Sequence, residues 1–262
     1  MKKQYLIPGV AVAGGAAGFA LRLVQNRSGF EAETGLAIPG NIGGVALPVL
    51  LAVLTAAIGI LSWKTPKKAA EDGAFSAFFP AKDAAGLMLP VMGIFLMGIS
   101  GLLDGALGLA ILPGVLFAPR VHLLLGAFAL VSAVGLFAGL AACRHAGADF
   151  QTTVLLAVPV MLVVRLVLTY RVSSTDPALE AYYIELLAQV LLTVAFFHLA
   201  GFAFGDGRPR RFVLTAAMAA VLAMTAAADL GSHITLVSSL ALYLGGGMAL
   251  LGFLLLYLGK EP

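Results

Sequence analysis

The chain has little of what water-soluble proteins are rich in. Only 11% of its 262 residues are charged and 61% are hydrophobic, whereas soluble domains carry about 25% charged residues. A water-soluble fold of this length could not bury so much apolar surface, so the sequence predicts that the protein lies in lipid. The expected location is a plasma membrane, of the type of the bacterial inner membrane.

Several sequence signatures are missing, and each absence excludes a class of function. The single cysteine, Cys143, excludes an intrachain disulfide and a cysteine-based metal cluster. The chain has no Walker A motif, no dinucleotide-binding GxGxxG after a strand and no GxSxG nucleophile motif. Its net charge is only +3, without basic runs interleaved with aromatics, which argues against nucleic acid as a partner. No cofactor is expected, and a retinal Schiff base is excluded because no predicted span contains lysine.

Eight apolar segments are long enough to cross a bilayer as helices, which takes about 20 residues. They lie at 5–24, 45–63, 85–103, 120–143, 152–171, 180–204, 211–230 and 234–258. The stretch 104–119 is apolar but short and holds two prolines, so we interpret it as a re-entrant or interfacial connector. The first segment is expected to be a span and not a signal peptide, because it is long enough to cross. The prediction is an all-α, polytopic membrane bundle forming a single domain over 1–262.

The basic residues predict how the bundle is oriented. Cytoplasmic loops carry an excess of lysine and arginine. If both termini are cytoplasmic, eleven basic residues lie inside and three outside. The inner ones are Lys2, Lys3, Lys64, Lys67, Lys68, Lys82, Arg144, Arg208, Arg210, Arg211 and Lys260, and the outer ones are Arg27, Arg120 and Arg171. This asymmetry favours an even number of spans with both termini in the cytoplasm.

The first quarter of the chain has an echo 143 residues further on. Residues 22–24 (Arg-Leu-Val) recur at 165–167, and the Pro-Lys-Lys of 66–68 aligns with the Pro-Arg-Arg of 209–211. The number of identical residues over the aligned stretch is near chance, so only the rare polar positions indicate a duplication. They suggest two parallel four-helix halves, 1–143 and 144–262, related by an axis along the membrane normal. The alternative is coincidence, since membrane loops are charged in any case.

Ionisable residues inside membrane spans are costly, and a functional role is the default hypothesis for them. Arg165 and Glu185 each lie ten residues from Thr175, in the turn between the fifth and sixth spans, so they are predicted to share a depth and to pair. With Gln189 and Arg22 they form the predicted substrate-binding set. The alternatives are a static pair that holds the hairpin, or an arginine that snorkels to the interface. Arg22 is expected to snorkel because it lies nearer the interface.

A second set of polar residues lies at the predicted outer ends of helices. The alignment of the two predicted halves extends further if two connectors are taken to be shorter in the second half. Asp104 then aligns with Asp229, and His122 aligns with His233. Two carboxylates and two imidazoles at one face could bind a divalent metal or perform acid–base hydrolysis. The alternative is helix capping. His198, alone on an apolar helix, is interpreted as a core residue or as a member of a proton relay.

These patterns favour a small transporter or permease-like protein with an outward-facing polar site between the halves. An intramembrane enzyme on a lipid-type substrate and a non-catalytic membrane subunit or sensor remain alternatives, so catalysis is left open. The expected partners are the lipid bilayer, a small-molecule or ion substrate, and a second copy or a partner membrane protein. Transport predicts a polar cavity that is continuous with the outer face and reaches the midplane. An enzyme predicts the two acids and two histidines within metal or hydrogen-bond reach of one another. A subunit predicts neither of these and instead a large exposed face of small residues.

Overall fold

The computed structural model is built from α-helices. It describes residues 5–31, 33–69, 74–81, 84–113, 116–144, 151–174, 179–229 and 237–259, with the side chains of 179–181 excepted. Within these ranges the helices are α1 (Leu6–Ser28), α2 (Ile42–Ser62), α3 (Phe75–Phe78), α4 (Ala84–Gly108), α5 (Pro119–Arg144), α6 (Ala157–Ser173), α7 (Leu179–Ala203), α8 (Pro209–Ala226) and α9 (Val237–Leu258). A short 3-10 turn precedes α6 at Thr152–Leu156, and another follows α8 at Ala227–Asp229.

Eight helices of the described chain are long and apolar enough to cross a membrane, and α3 is the exception. This confirms the predicted all-α bundle and its eight spans. The largest difference is in α4, which continues to Gly108, so Asp104 lies a full turn inside the helix and not at its end. No proline lies between Asp104 and Gly108, so the helix can continue past Asp104. Pro119 begins α5, where its missing N–H is not needed. The connector is therefore 109–118, shorter than the predicted 104–119.

Helices α8 and α9 form the centre of the bundle. Of their most apolar windows, 78% and 72% of the residues are buried, against 17% for the peripheral α2. Helix α8 packs against α1 and α7, and α9 packs against α4. Alanines make up much of the buried surface of α8, so its neighbours can approach closely. The two central helices thus contact α1 and α4 of the N-terminal part of the chain directly.

The glycine run 245–247 in α9 marks a close helix crossing. Three consecutive glycines could either allow a close helix approach or break the helix. Helix α9 is continuous through them. A Cβ atom on Gly93 of α4 would lie 2.3 Å from the backbone nitrogen of Ala249, and one on Gly245 would lie 2.7 Å from the carbonyl oxygen of Gly93. Backbone meets backbone here, so the run serves packing.

The two basic motifs of the echo touch each other at the predicted inner end. The backbone N–H of Arg210 donates to the carbonyl of Pro66 at 3.2 Å. Its guanidinium donates to the carbonyl oxygens of Thr65, at 3.3 Å, and of Trp63, and it lies 4.8 Å from the centroid of the Trp63 ring. These motifs were interpreted as topology signals alone, but Arg210 also holds the α2–α3 connector against α8.

Substituting Arg210 by glutamine is expected to loosen this connector, because the cation–π contact and the guanidinium hydrogen bonds to Trp63 and Thr65 are lost. Limited trypsin digestion of detergent-purified protein measures the effect, since Lys64 and Lys67 in the connector are exposed. Cleavage there should become several-fold faster. Arg144→Gln, at the end of α5, is the matched control and should leave the rate unchanged. An unchanged rate in Arg210→Gln would show that the contact does not restrain the connector.

Candidate functional site

Buried polar side chains collect at one end of the bundle. Since consecutive spans run in opposite directions, the last turns of α1, α4, α6 and α8 lie level with the first turns of α5, α7 and α9. Many polar residues at this end of the bundle are at most 3% exposed, among them Arg22, Asp104, His122, Arg165, Glu185, Gln189, Asp229 and Tyr243. Every residue of the predicted substrate-binding set belongs to this group, and so do three of the four predicted metal ligands.

The first group of contacts, the Asp104 cluster, consists of Asp104, His122, Arg165 and Ser239. Arg165 donates from Nη1 to Asp104 Oδ2 at 2.7 Å and from Nη2 to Ser239 Oγ at 2.8 Å. His122 Nδ1 lies 3.2 Å from the other oxygen, Asp104 Oδ1. The cluster joins α4, α5, α6 and α9, and each carboxylate oxygen has a partner. A buried charge is tolerable only with such compensation.

The hydrogen bonds of His122 identify its tautomer. The backbone N–H of Phe117 donates to His122 Nε2 at 3.2 Å, so this nitrogen carries no proton. The ring proton therefore lies on Nδ1 and points at Asp104. Both ring nitrogens are used inside the protein, and His122 orients Asp104 while it holds the α4–α5 connector in place. Neither nitrogen is available to a metal or a substrate unless the Phe117 bond breaks.

The second group, the Tyr243 cluster, consists of Tyr243, Glu185, Gln189 and Thr169. The hydroxyl of Tyr243 donates to Glu185 Oε1 at 2.6 Å. Gln189 Nε2 donates to the Tyr243 hydroxyl oxygen at 2.6 Å and to Thr169 Oγ1 at 3.3 Å. The cluster therefore ties α7 to both α6 and α9.

The two clusters are adjacent. Arg165 and Thr169 are one turn apart on α6, and Ser239 and Tyr243 are one turn apart on α9. Residues four apart lie on the same face of a helix. The Asp104 and Tyr243 clusters therefore continue into each other along the facing sides of α6 and α9, and together they are called the α6–α9 network.

The predicted direct pair between Arg165 and Glu185 is wrong. Arg165 donates to Asp104 and Ser239, while Glu185 accepts from Tyr243. The two side chains do lie in adjoining clusters, as their shared depth predicted. Arg165 takes Asp104 as its partner because α4 continues past Asp104 and carries this carboxylate inside the bundle, a position that the sequence assigned to a helix end.

The third group, the Arg22 cluster, contains Arg22, Gln25, Asn26 and Asp229. Arg22 Nε donates to Asp229 Oδ1 at 2.7 Å, and Nη1 donates to Gln25 Oε1 at 2.8 Å. Asn26 Nδ2 donates to the same Asp229 oxygen at 2.8 Å. The expectation that Arg22 snorkels is wrong, because its side chain is fully buried. The carboxylate of Asp229, in the 3-10 turn after α8, compensates the buried charge of Arg22.

The two buried arginine–aspartate pairs cross between the predicted halves in opposite directions. Arg22 of the first half pairs with Asp229 of the second, and Arg165 of the second half pairs with Asp104 of the first. Both pairs have an N···O distance of 2.7 Å. Arg22 aligned with Arg165 in the echo, and Asp104 aligned with Asp229 once connectors were shortened. Each of these arginines therefore pairs with the aspartate of the other predicted half.

The predicted metal ligands divide between these clusters. Asp104 and His122 are in contact, Asp229 belongs to the Arg22 cluster, and His233 lies outside the described residues. No group of three or more His, Cys, Asp or Glu side chains in the described part of the chain is placed to hold a metal ion. The four-residue metal site stays a prediction, and the tautomer of His122 counts against it.

Two buried polar atoms of the α6–α9 network have no hydrogen-bond partner among the described residues. They are Arg165 Nε and Gln189 Oε1. More than about 90% of buried polar groups in proteins are paired. A donor and an acceptor left over in one network are the groups that a small polar solute or an ordered water would satisfy.

The sequence reasoning missed Asn26, Thr169, Ser239 and Tyr243. Hydroxyl residues are common in membrane helices, where they often donate to the backbone of their own helix. A serine, threonine or tyrosine in a span is therefore not by itself a signal of a site. A usable signal was the four-residue spacing of Ser239 and Tyr243, which repeats that of Arg165 and Thr169. Comparison of the chain with protein-family models, with curated proteins and with solved structures found no match.

Proposed function

We propose that this membrane protein is a small transporter and that the α6–α9 network is its binding site for a small charged or polar solute and its coupling ion. The observation that carries the proposal is a continuous set of ionisable side chains, buried in a bundle of spanning helices, with an unpaired donor at Arg165 and an unpaired acceptor at Gln189. A charged residue inside a membrane helix costs about 2.5–3.5 kcal/mol on insertion scales. Such a cost favours a functional reason for each buried charge.

The contacts support a mechanism of charge exchange. Arg165 is neutralised by Asp104, and an anionic group of a solute can take the place of that carboxylate. A proton or a small cation can then neutralise Asp104, so that the network keeps the same net charge in both states. A low-dielectric interior penalises any state with an uncompensated charge, and this penalty couples the two binding events.

Glu185 is the second carboxylate of the mechanism. It accepts a short hydrogen bond from the neutral phenol of Tyr243, and it shares that phenol with Gln189. Protonation of Glu185 would require this bond to reorganise, and α7 and α9 would be free to shift relative to each other. This gives α7 and α9 two arrangements that a proton can select, which alternating access needs.

The reciprocal arginine–aspartate pairs also support the duplicated origin that the sequence suggested. We place the binding site toward the outer face of a bacterial-type plasma membrane, with both termini in the cytoplasm. In this proposal the Arg22 cluster, where Asn26 and Gln25 add hydrogen bonds, acts as the static clamp. The Arg165 pair, which adjoins the Tyr243 cluster, is the one that diverged toward binding.

An intramembrane hydrolase is the weaker candidate. A general base needs a nitrogen or oxygen directed at the substrate. His122 has both ring nitrogens engaged, with Asp104 and with the Phe117 backbone. We therefore offer no catalytic role for these residues.

Glu185→Gln is expected to abolish ion-coupled uptake and to leave the fold intact, because the glutamine oxygen can still accept from Tyr243. The purified protein is reconstituted in proteoliposomes that contain pyranine, a pH-sensitive dye. Proton movement is then recorded from pyranine, and charge movement from a voltage-sensitive dye, on addition of Na⁺, amino acids or small organic acids. Wild type should give a solute-dependent signal that falls at least about tenfold in the variant, as expected for loss of a buried ionisable group.

Arg171→Gln is the matched control, since it removes an exposed charge at the end of α6. It should transport like wild type. A wild-type protein that is folded but moves no charge with any of these solutes would contradict the proposal. So would a Glu185→Gln variant with the wild-type rate.

A further inference from the structure

A pocket of about 380 Å³ lies at the end of the bundle opposite the polar network. It is formed where α7 ends and α8 begins. One wall is apolar and includes Phe197 and Phe204, and the other is polar and includes His198, Asp206, Arg208 and Arg211. The pocket shares no residue with the α6–α9 network, and the proposed transport mechanism does not use it.

Positive charge dominates the polar wall. Arg208 Nη2 lies 3.3 Å from Asp206 Oδ2, in a pair whose side chains are both largely in contact with solvent. The guanidinium of Arg211 makes no hydrogen bond or ion pair with any described residue. The pocket therefore has two guanidinium groups and one carboxylate, which gives it a net positive charge that favours an anion.

The imidazole of His198 adds a further polar group to this wall. The hydroxyl of Thr215 donates to the backbone oxygen of Arg211 at 2.8 Å, so its lone pairs face His198 Nδ1 at 3.3 Å. The ring proton therefore lies on Nδ1, and this contact orients the ring. His198 is half-buried at the pocket, so it is not the core residue that the sequence suggested.

The apolar wall indicates that the anion carries hydrocarbon. Phe197, on α7, is 60% exposed, and Phe204, which directly follows α7, is 47% exposed. If both termini are cytoplasmic, this end of α7 faces the inner headgroups, and the exposed rings line the same pocket as the guanidinium groups. Basic pockets between spanning helices at the cytoplasmic side are suited to anionic headgroups.

We propose that this pocket binds the phosphate headgroup of an anionic phospholipid, with Arg208 and Arg211 on the phosphate and the acyl chains along Phe197. Arginine is well suited to this role, because its planar guanidinium donates two parallel hydrogen bonds to a phosphate. The carboxylate of Asp206 holds Arg208 and leaves Arg211 as the principal contact.

Native mass spectrometry of the full-length protein, titrated with phosphatidylglycerol in detergent, tests the proposal. Arg211→Gln and Arg208→Gln should each weaken binding of this lipid by about fivefold, the effect of one basic residue near a lipid surface. The double variant should lose most of the binding, and Arg211→Lys should retain part of it. Arg144→Gln, an exposed arginine on the same predicted face, should bind as wild type does.

Three results would overturn the proposal. The first is a double variant that binds phosphatidylglycerol as wild type does. The second is phosphatidylcholine binding as tight as that of phosphatidylglycerol. The third is inorganic phosphate that binds alone and displaces the lipid, which would assign the pocket to a soluble anion. The melting temperature in lipid-free detergent should be the same for all variants, because both arginines are at the surface.

Discussion

Replacing Asp104 by leucine is expected to lower the free energy of unfolding by about 3–5 kcal/mol, the usual cost of breaking a buried ion pair. The substitution leaves the guanidinium of Arg165 buried without its carboxylate, and it removes the acceptor of His122 Nδ1 as well. Chemical unfolding of the purified protein in detergent micelles measures the loss. Arg171→Leu, an exposed charge on the same helix as Arg165, should change stability by less than about 0.5 kcal/mol.

The double variant Asp104→Leu with Arg165→Leu should recover most of the stability. Removing both charges leaves an apolar pair of similar volume, which is often neutral or stabilising compared with the ion pair. The coupling free energy from the double-mutant cycle should therefore be large. Additive effects of the two single substitutions would show that the pair is not formed. The same cycle on Arg165 and Glu185 should give a smaller coupling, because these side chains are not direct partners.

Gly93→Ala is expected to destabilise the protein by about 2–3 kcal/mol, as overpacking of a tight core does. The added methyl group would lie 2.3 Å from the Ala249 nitrogen and 2.5 Å from the Gly245 oxygen. Both atoms belong to the backbone of α9, so helices α4 and α9 must move apart and lose contact along their length. Gly245→Ala, on the other side of the crossing, should have a similar effect.

Gly98→Ala is the matched control on the same helix. Its new Cβ would be 3.9 Å from the nearest atom, the Cβ of Ala133, which is ordinary van der Waals contact. Alanine has a higher helix propensity, so this variant should be neutral or up to about 1 kcal/mol more stable. Equal destabilisation by Gly93→Ala and Gly98→Ala would mean that the effect is not due to the crossing.

Much of the fold could be predicted because a membrane span is recognised from the hydropathy of its own consecutive residues, without knowledge of its neighbours in space. The eight spans differ from the prediction by a few residues at most ends, and the error at α4 arose because the polar Asp104 was taken for a helix boundary. The close crossing at the run of three glycines, and its partner Gly93, could not be known from the sequence. Gly93 is one of 31 glycines, and nothing local distinguishes it from Gly98.

The candidate site could be predicted only in part. Arg165, Glu185, Gln189 and Arg22 were identified because polar residues in apolar helices are rare and costly. Tyr243 was not, since an aromatic residue in a span usually contacts lipid or core. The orientation of His122 also could not be predicted, because it depends on a backbone N–H in a connector.

The sequence by itself indicated that the protein lies in lipid, how many spans it has and at which end of the bundle the polar groups collect. These follow from hydrophobicity summed over about 20 residues and from the alternating direction of consecutive spans. Only the tertiary structure decided which arginine pairs with which aspartate. The partners are 207 and 61 residues apart in the chain, and each pair is selected by packing of α1 on α8 and of α6 near α4. Charge compensation in a low-dielectric interior requires a partner within a few ångströms, and that distance depends on how the helices pack.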